Sequence, residues 1–405
     1  LALDVEYVRA EKDTLWARTA TGAVRPVLDL AGGYGAGLFG HNHPALVEEA
    51  QRLLTDRVPA HAQASIRSGA GELAAALGER VGGEFVCLFS NSGAEVVESA
   101  LKHAFVETGG SVFRAVSGSF HGMTTGAASL TFQTSENYRP LGPRVVFSDG
   151  VPLAGPEDAT TERLGAVFFE AVQGEGGVIP LGEEQAHELV AEAWAHRVPL
   201  VADEIQTGMG RTGTFLACEQ LHIRPDYVCL SKALGGGLAK IGALLVARHR
   251  YQSESSVTHT STFGEDEWSC RIALRALRLM DEEGVPARCA DTGRALQGRL
   301  EEVKDRFPAV VRDVRGKGLI IGLELADLTE SPSPIFRTLD RNGLLGWFAA
   351  AYFLNVHNIR VLPTLSAPRT LRIEPSAFVS DAELERFFEG SPPSAARWTS
   401  STSGT

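Results

Sequence analysis

Residues Leu200 to Gly237 read LVADEIQTGMGRTGTFLACEQLHIRPDYVCLSKALGGG, and this stretch decides the fold. Two short apolar runs, Val198 to Ala202 and Tyr227 to Leu230, read as buried strands. Asp203 ends the first and Lys232 lies just beyond the second, so an acid and an amine arrive at one sheet edge. Each alone has an ordinary reading: Asp203 as a turn cap, Lys232 as a solvated lysine.

Upstream, Ala166 to Phe169 is another buried run, leading into EAVQGEGGVIP with Glu170 at the strand end and Glu175 in a Gly-rich turn. Glu183 to His196 then has helical spacing, which completes a βαβ unit and implies a parallel sheet covered by helices. Phe85 to Phe89 is a further strand, followed by SNSGAEVVESALKHAF. Val97, Ala100, Leu101, Ala104 and Phe105 share a helical face there. Ser92 suits the cap of that helix, and the free N–H groups of Gly93 and Ala94 suit an anion such as a phosphate. After the strand Val112 to Val116, the loop SGSFHGMTTGAASLT presents Phe120 between Gly118 and Gly122, placed to stack on a planar ring; Val145 to Phe147 is the next strand.

Open α/β sheets bind ligands at the carboxyl ends of their parallel strands. An acid, an amine, a phosphate-binding turn and an aromatic at that edge suit pyridoxal phosphate. The lysine would form a Schiff base with its aldehyde, and the aspartate would keep its pyridine nitrogen protonated.

Toward the N-terminus, Tyr7 to Leu30 suits an antiparallel hairpin. The run AGGYGAGLFGHNHPALVEEAQ follows, with Pro44 opening a helix. Tyr34 there has two readings, a substrate-facing aromatic or plain packing, whereas His41 and His43 are expected to stabilise turns. Beyond Lys232, Ile241 to Ala247 reads as a strand and His259 to Phe263 as a polar loop. Helices are expected at Trp268 to Glu282, Asp291 to Arg306 and Leu345 to Asn355. Strands are expected at Val310 to Val314, Leu319 to Leu325, Ile359 to Leu362 and Thr370 to Ile373. Arg372 faces away from Leu371 and Ile373; without a carboxylate ligand nearby it reads as a solvated edge-strand arginine.

The chain has 405 residues, 44% hydrophobic and 22% charged, enough for two cores. A net charge of -12 without clustered Lys or Arg argues against nucleic-acid or anionic-membrane partners. The five cysteines lack metal-ligand spacing and read as free thiols in a reducing, cytoplasmic compartment. Nothing has the length and apolarity of a membrane span or the layout of a signal peptide. A start at Leu1 and the linker-like Gly390 to Thr405 are compatible with a domain of a longer protein or with simple terminal additions.

Together these residues resemble the class III pyridoxal-phosphate-dependent aminotransferases, the ornithine, acetylornithine and ω-type group, from about Leu28 to about Phe388. VADEIQTGMGRTG followed by LSKALGGG is the most specific part; SNSGAE, FHG, QGEGG, STFG and VRGKGLIIGLEL appear in the same order. The resemblance implies an α/β protein of fold type I, with a large, mostly parallel, doubly wound domain and a smaller α+β domain built from both chain ends. The expected division is 1–48 and 266–390 for the small domain, 49–265 for the large one, and 391–405 as tail or linker. It further implies Lys232 as the Schiff-base lysine, Asp203 as partner of the ring nitrogen, Gln206 on the phenolic oxygen and Phe120 stacked on the ring. Gly93 and Ala94 would cradle the phosphate, and Thr262 would reach it from a neighbouring subunit, making the active unit a homodimer. Arg372 would grip the α-carboxylate of glutamate, with Glu175 pairing with it when other substrates bind and Tyr34 lining the substrate side.

The implied reaction moves an amino group, with L-glutamate as donor, to an aldehyde or ketone by a ping-pong cycle. Decarboxylation, racemisation or an aminomutase reaction on the same fold stays open, as does a domain acting on a tethered or newly reduced aldehyde, or a non-enzymatic pyridoxal-binding role. Three departures stand out: Ala171 where the family usually has Pro, EDEWSC after STFG where Gly-Asn-Pro is usual, and Lys240 after the Gly-rich turn.

Overall fold

The computed structural model describes residues 3, 5–19, 21–62, 64–138, 141–148 and 163–390; the proposed tail, 391–405, lies outside them. At its centre is a seven-stranded sheet in the order Phe85–Ser90, Gly242–Ala247, Tyr227–Leu230, Leu200–Asp203, Leu164–Phe169, Val112–Val116, Arg144–Ser148. The last five run parallel, and Gly242–Ala247 runs antiparallel to both its neighbours.

The inner strands are largely apolar because both faces are covered; Arg114, buried in Val112–Val116, is paired with Glu192. Leu200, Ala202, Val228 and Leu230 join the core on one face, whereas Val201, Tyr227 and Cys229 join the core on the other. This is the period-two alternation of a pleated sheet, with apolar partners on each side. The helix Gly93–Thr108 belongs to the second face, and it approaches the sheet where Gly242 lies: a Cβ there would meet Val96 Cγ2 at 2.4 Å. Phe105 falls outside the expected buried face, at 54% exposure; its neighbours Val97, Ala100, Leu101 and Ala104 are buried.

Both chain ends contribute to one smaller sheet. Glu6–Glu11, Thr14–Arg18 and Val24–Asp29 form an antiparallel meander, and Ile359–Arg360 adds in parallel beside Val24–Asp29. Another sheet has the order Val311–Lys317, Ile320–Leu325, Thr370–Ile373, Leu362–Pro363. The strand anticipated over Ile359 to Leu362 is thus divided between two sheets, with Val361 between them. The helix anticipated from Asp291 begins instead at Val285, with Pro286 in its first turn. Leu345–Tyr352 is shorter than anticipated and passes into a π-helical turn, Phe353–His357. In the EDEWSC run, Asp266 caps the helix Glu267–Glu282 by accepting from Ser269 N at 2.8 Å, and Lys240 is exposed.

Among the described residues no helix is long and apolar enough to cross a membrane, and no cluster of His, Cys, Asp and Glu could hold a metal ion. All five cysteines are free.

Candidate active site

Register brings the two anchors together. Asp203 pairs with Cys229 across the parallel ladder, and Lys232 follows in a short 3-10 turn, Lys232–Gly235, directly past the strand Tyr227–Leu230. Lys232 has φ 44°, a left-handed conformation unfavourable for a side chain with a Cβ. Its Nζ donates to Gln206 Oε1 at 2.8 Å. Burial pushes the amine below its ordinary pKa, with the Arg372 charge acting in the same direction and Glu374, Glu175 and Asp203 opposing. Such a lysine is biased toward the neutral form that can act as nucleophile or base.

Asp203 is held at both oxygens. Oδ2 accepts from His121 Nδ1 at 2.7 Å, and Oδ1 accepts from Ile205 N at 3.1 Å. Burial pushes the His121 imidazole down, but the hydrogen bond and charge of Asp203, with the charge of Glu170, outweigh it and raise its pKa. The Nδ1–H of the imidazole donates to the carboxylate and holds it in place. Glu170, fully enclosed, accepts from Phe120 N at 2.8 Å and Gly174 N at 3.2 Å, fixing the loops that bear Phe120 and Glu175. Burial pushes its carboxyl up to about 7, with the Asp203 charge adding to the effect and His121 opposing it.

Gly93 and Ala94 open the helix Gly93–Thr108, where free N–H groups and the helix dipole favour an anion. Ser92 caps it by accepting from Glu95 N at 3.3 Å, while Glu95 Oε2 accepts from Asn91 N at 2.7 Å, one residue ahead of the cap. The space is tailored by backbone: a Cβ on Gly93 would meet Ile205 at 3.0 Å, and one on Gly122 would meet Ala94 Cβ at 2.9 Å. The Phe120 loop therefore packs directly onto the turn.

On the opposite side, Arg372 is 1% exposed. Its strand is internal, paired with Ile320–Leu325 and Leu362–Pro363, which corrects the solvated-edge reading: Arg372 Nη1 donates to Glu175 Oε1 at 2.6 Å. Glu175 Oε2 accepts from Leu365 N at 2.9 Å. Tyr34, 45% exposed, places its ring 5.1 Å from Arg372 Cζ, so it faces the site rather than merely filling core. Thr262 is exposed on its loop beside Ser261, whose hydroxyl accepts from Asn91 Nδ2 at 2.8 Å.

Several participants escaped sequence reading. His121 stood in the quoted FHG motif, but no spacing names its partner, Asp203. Arg211 is fully buried and donates to Leu319 O at 3.0 Å and Pro375 O at 2.6 Å, joining the GMGRTG loop to the smaller sheets. Glu374 lies between Gln206 and Arg372.

The donor set fits pyridoxal phosphate: a helix N-terminus at Gly93 packed tightly against Ile205, a buried carboxylate, Asp203, hydrogen-bonded by His121, and a lysine whose amine burial pushes below its ordinary pKa. Comparison with known proteins agrees. The family model described as aminotransferase class-III matches residues 8–390. The ornithine aminotransferase from Toxoplasma gondii ME49 aligns with TM-score 0.82 and 24% identity, over 99% of this chain and 92% of that one. A Bacillus anthracis aminotransferase aligns with TM-score 0.82 and 23% identity, over 98% and 94%. The ω-transaminase from Pseudomonas jessenii in complex with PMP aligns with TM-score 0.83 and 20% identity, over 99% and 94%. At these identities the structural likeness speaks for the fold alone.

Proposed function

The chain belongs to the class-III aminotransferases, and we propose from that membership that it transfers the amino group of L-glutamate to an aldehyde or ketone in two half-reactions. It is a transaminase, and its cofactor is pyridoxal 5′-phosphate. When bound, the cofactor supplies the aldehyde that captures the amine and the ring that takes up electrons from Cα.

Lys232, biased by burial toward its neutral form, is the base that removes and returns the Cα proton. Asp203, hydrogen-bonded by His121, would hold the ring nitrogen, and Gln206 would hold the phenolic oxygen. Phe120 would stack on the ring, and Gly93 and Ala94 would receive the phosphate. Thr262 acts on the site of a second copy in a homodimer. Exposed apolar groups support that reading: Phe263 is 59% exposed and meets His61 edge to face at 5.0 Å between ring centroids, and Ile66 is 96% exposed. The free thiols support a reducing, cytoplasmic compartment.

The observation that carries the donor assignment is the Arg372–Glu175 pair. A buried arginine held by a carboxylate on a glycine-flanked turn can exchange that partner for the α-carboxylate of glutamate, and take it back when a carboxylate-free carbonyl enters. The test is to add L-glutamate, without acceptor, to the cofactor-loaded protein. Conversion of the chromophore with equimolar 2-oxoglutarate is expected; an unchanged spectrum overturns glutamate as donor.

A further inference from the structure

Glu374 is fully buried immediately after the strand Thr370–Ile373. Its backbone N donates to Leu30 O at 2.7 Å, securing the main chain. Its carboxylate accepts from Gln206 Nε2 at 3.0 and 3.2 Å. It also faces Arg372 Nε at 3.4 Å and Arg211 Nε at 3.8 Å. Glycines make the room: a Cβ on Gly35 would come 2.8 Å from Glu374 Oε1, and one on Gly174 would come 2.4 Å from Gln206 Oε1. A carboxylate withdrawn this far from water persists only when charge and hydrogen bonds compensate it. Two guanidinium groups and an amide do so here.

We propose that Glu374 is a positioning residue that holds Gln206 and Arg372 at once, aligning the lysine side and the carboxylate side of the site with one group. A carboxylate only accepts hydrogen bonds, so the Gln206 amide turns its nitrogen toward Glu374 and its oxygen toward Lys232. On the other flank, Glu374 occupies the Nε edge of Arg372. Nη1 then points to Glu175, and Nη2 is buried without a hydrogen-bond partner among the described residues. Once Glu175 withdraws, Nη1 and Nη2 form an outward fork matched to an incoming carboxylate. The Arg372 arm rests on the glutamate reading above; the Gln206 arm does not.

The test uses full-length Glu374→Ala and Glu374→Gln. Cofactor affinity is measured by visible titration of the apo-protein with pyridoxal phosphate. Dissociation constants and limiting rates for L-glutamate and for benzylamine, which lacks a carboxylate, come from single-turnover conversion of the chromophore. Glu374→Ala is expected to weaken cofactor binding about fivefold and glutamate binding at least about tenfold, leaving the benzylamine dissociation constant within about twofold. Glu374→Gln can serve one neighbour but not both, so it is expected to recover one arm only; it carries the measurements if the alanine variant does not fold. Loss of neither interaction in a folded Glu374→Ala protein, or equal weakening of glutamate and benzylamine, overturns the proposal. If the wild type ignores glutamate, the donor assignment falls and the cofactor titration alone decides: unchanged affinity overturns the hold of Glu374 on Gln206.

Discussion

Arg372 Nη1 and Glu175 Oε1 stand 2.6 Å apart at the mouth of the site, although 197 positions separate them in the chain. The arginine is buried, whereas the carboxylate belongs to a turn whose backbone is tied by Ser366 N to Glu175 O at 3.0 Å. The side chain of Glu175 can therefore rotate without moving its main chain. It gives up the bonds from Arg372 and Leu365 when it does.

Glu175→Gln weakens that latch without emptying the space. Glutamate is expected to bind about three- to tenfold more tightly in the first half-reaction, since a charge-assisted hydrogen bond no longer competes for Arg372. A carboxylate-free acceptor is expected to react more slowly, because the arginine keeps a weaker partner. Separate kinetics of the half-reactions check both; unchanged glutamate affinity excludes Glu175 as the competing group.

Lys232→Ala removes the amine while leaving the sheet and the phosphate turn in place. Turnover is expected to fall by at least ~10³, consistent with loss of both nucleophile and base. Borohydride treatment of the cofactor-loaded protein should leave no covalent adduct at this position, and the assembly mass should match that of the wild type. Undiminished turnover removes Lys232 from the chemistry.

His121→Asn tests the pair with Asp203 through stability. The folded pKa of His121 lies above its ordinary value of 6.5, so its pairing stabilises the fold fully below the unfolded value and loses that contribution as pH rises through the folded one. In apo-protein, the melting-temperature gap between wild type and variant should be largest at acidic pH and shrink on going alkaline. A gap independent of pH counts against the raised pKa of His121.

Asp13 gives a second handle of the same sign, at lower pH. It accepts from Ser376 N at 2.8 Å and Ser376 Oγ at 2.6 Å, yet burial dominates and pushes it from 3.8 up to about 6. The folded chain therefore binds a proton that the unfolded chain releases between those values, so stability falls as pH rises through that window, by about 1.4 kcal/mol per unit of displacement. Asp13→Asn preserves an acceptor for the Ser376 amide and a donor for its hydroxyl. Its stability relative to wild type should increase from acidic to neutral pH, read from denaturant midpoints; a parallel pair of curves counts against the raised pKa.

Local pattern accounts for much of what was legible. Asp203 and Lys232 terminate apolar runs, Pro44 begins a helix, and Ser92 caps one. Each signal is carried by residues within a turn of one another. Arg372 was harder: alternation with Leu371 and Ile373 says only which way it points, and whether that face meets water depends on Glu175 and on two flanking strands. Glu374 gave still less, because a glutamate after a strand looks like solvated surface. Its meaning comes from Gln206, Arg211 and Gly35, drawn together only by the tertiary fold.

The smaller sheet formed by both chain ends has a consequence for biosynthesis. Val24–Asp29 emerges from the ribosome early, but its parallel neighbour Ile359–Arg360 is made only after the whole central sheet. Throughout that interval Val27 and Leu28, fully buried in the finished protein, belong to an incomplete sheet edge. Chain closure is thus a late event that converts an association-prone margin into interior. It also sets Leu30 against Glu374 through their backbones, so the late strands that close the N-terminal sheet also deliver Glu374 to the pocket.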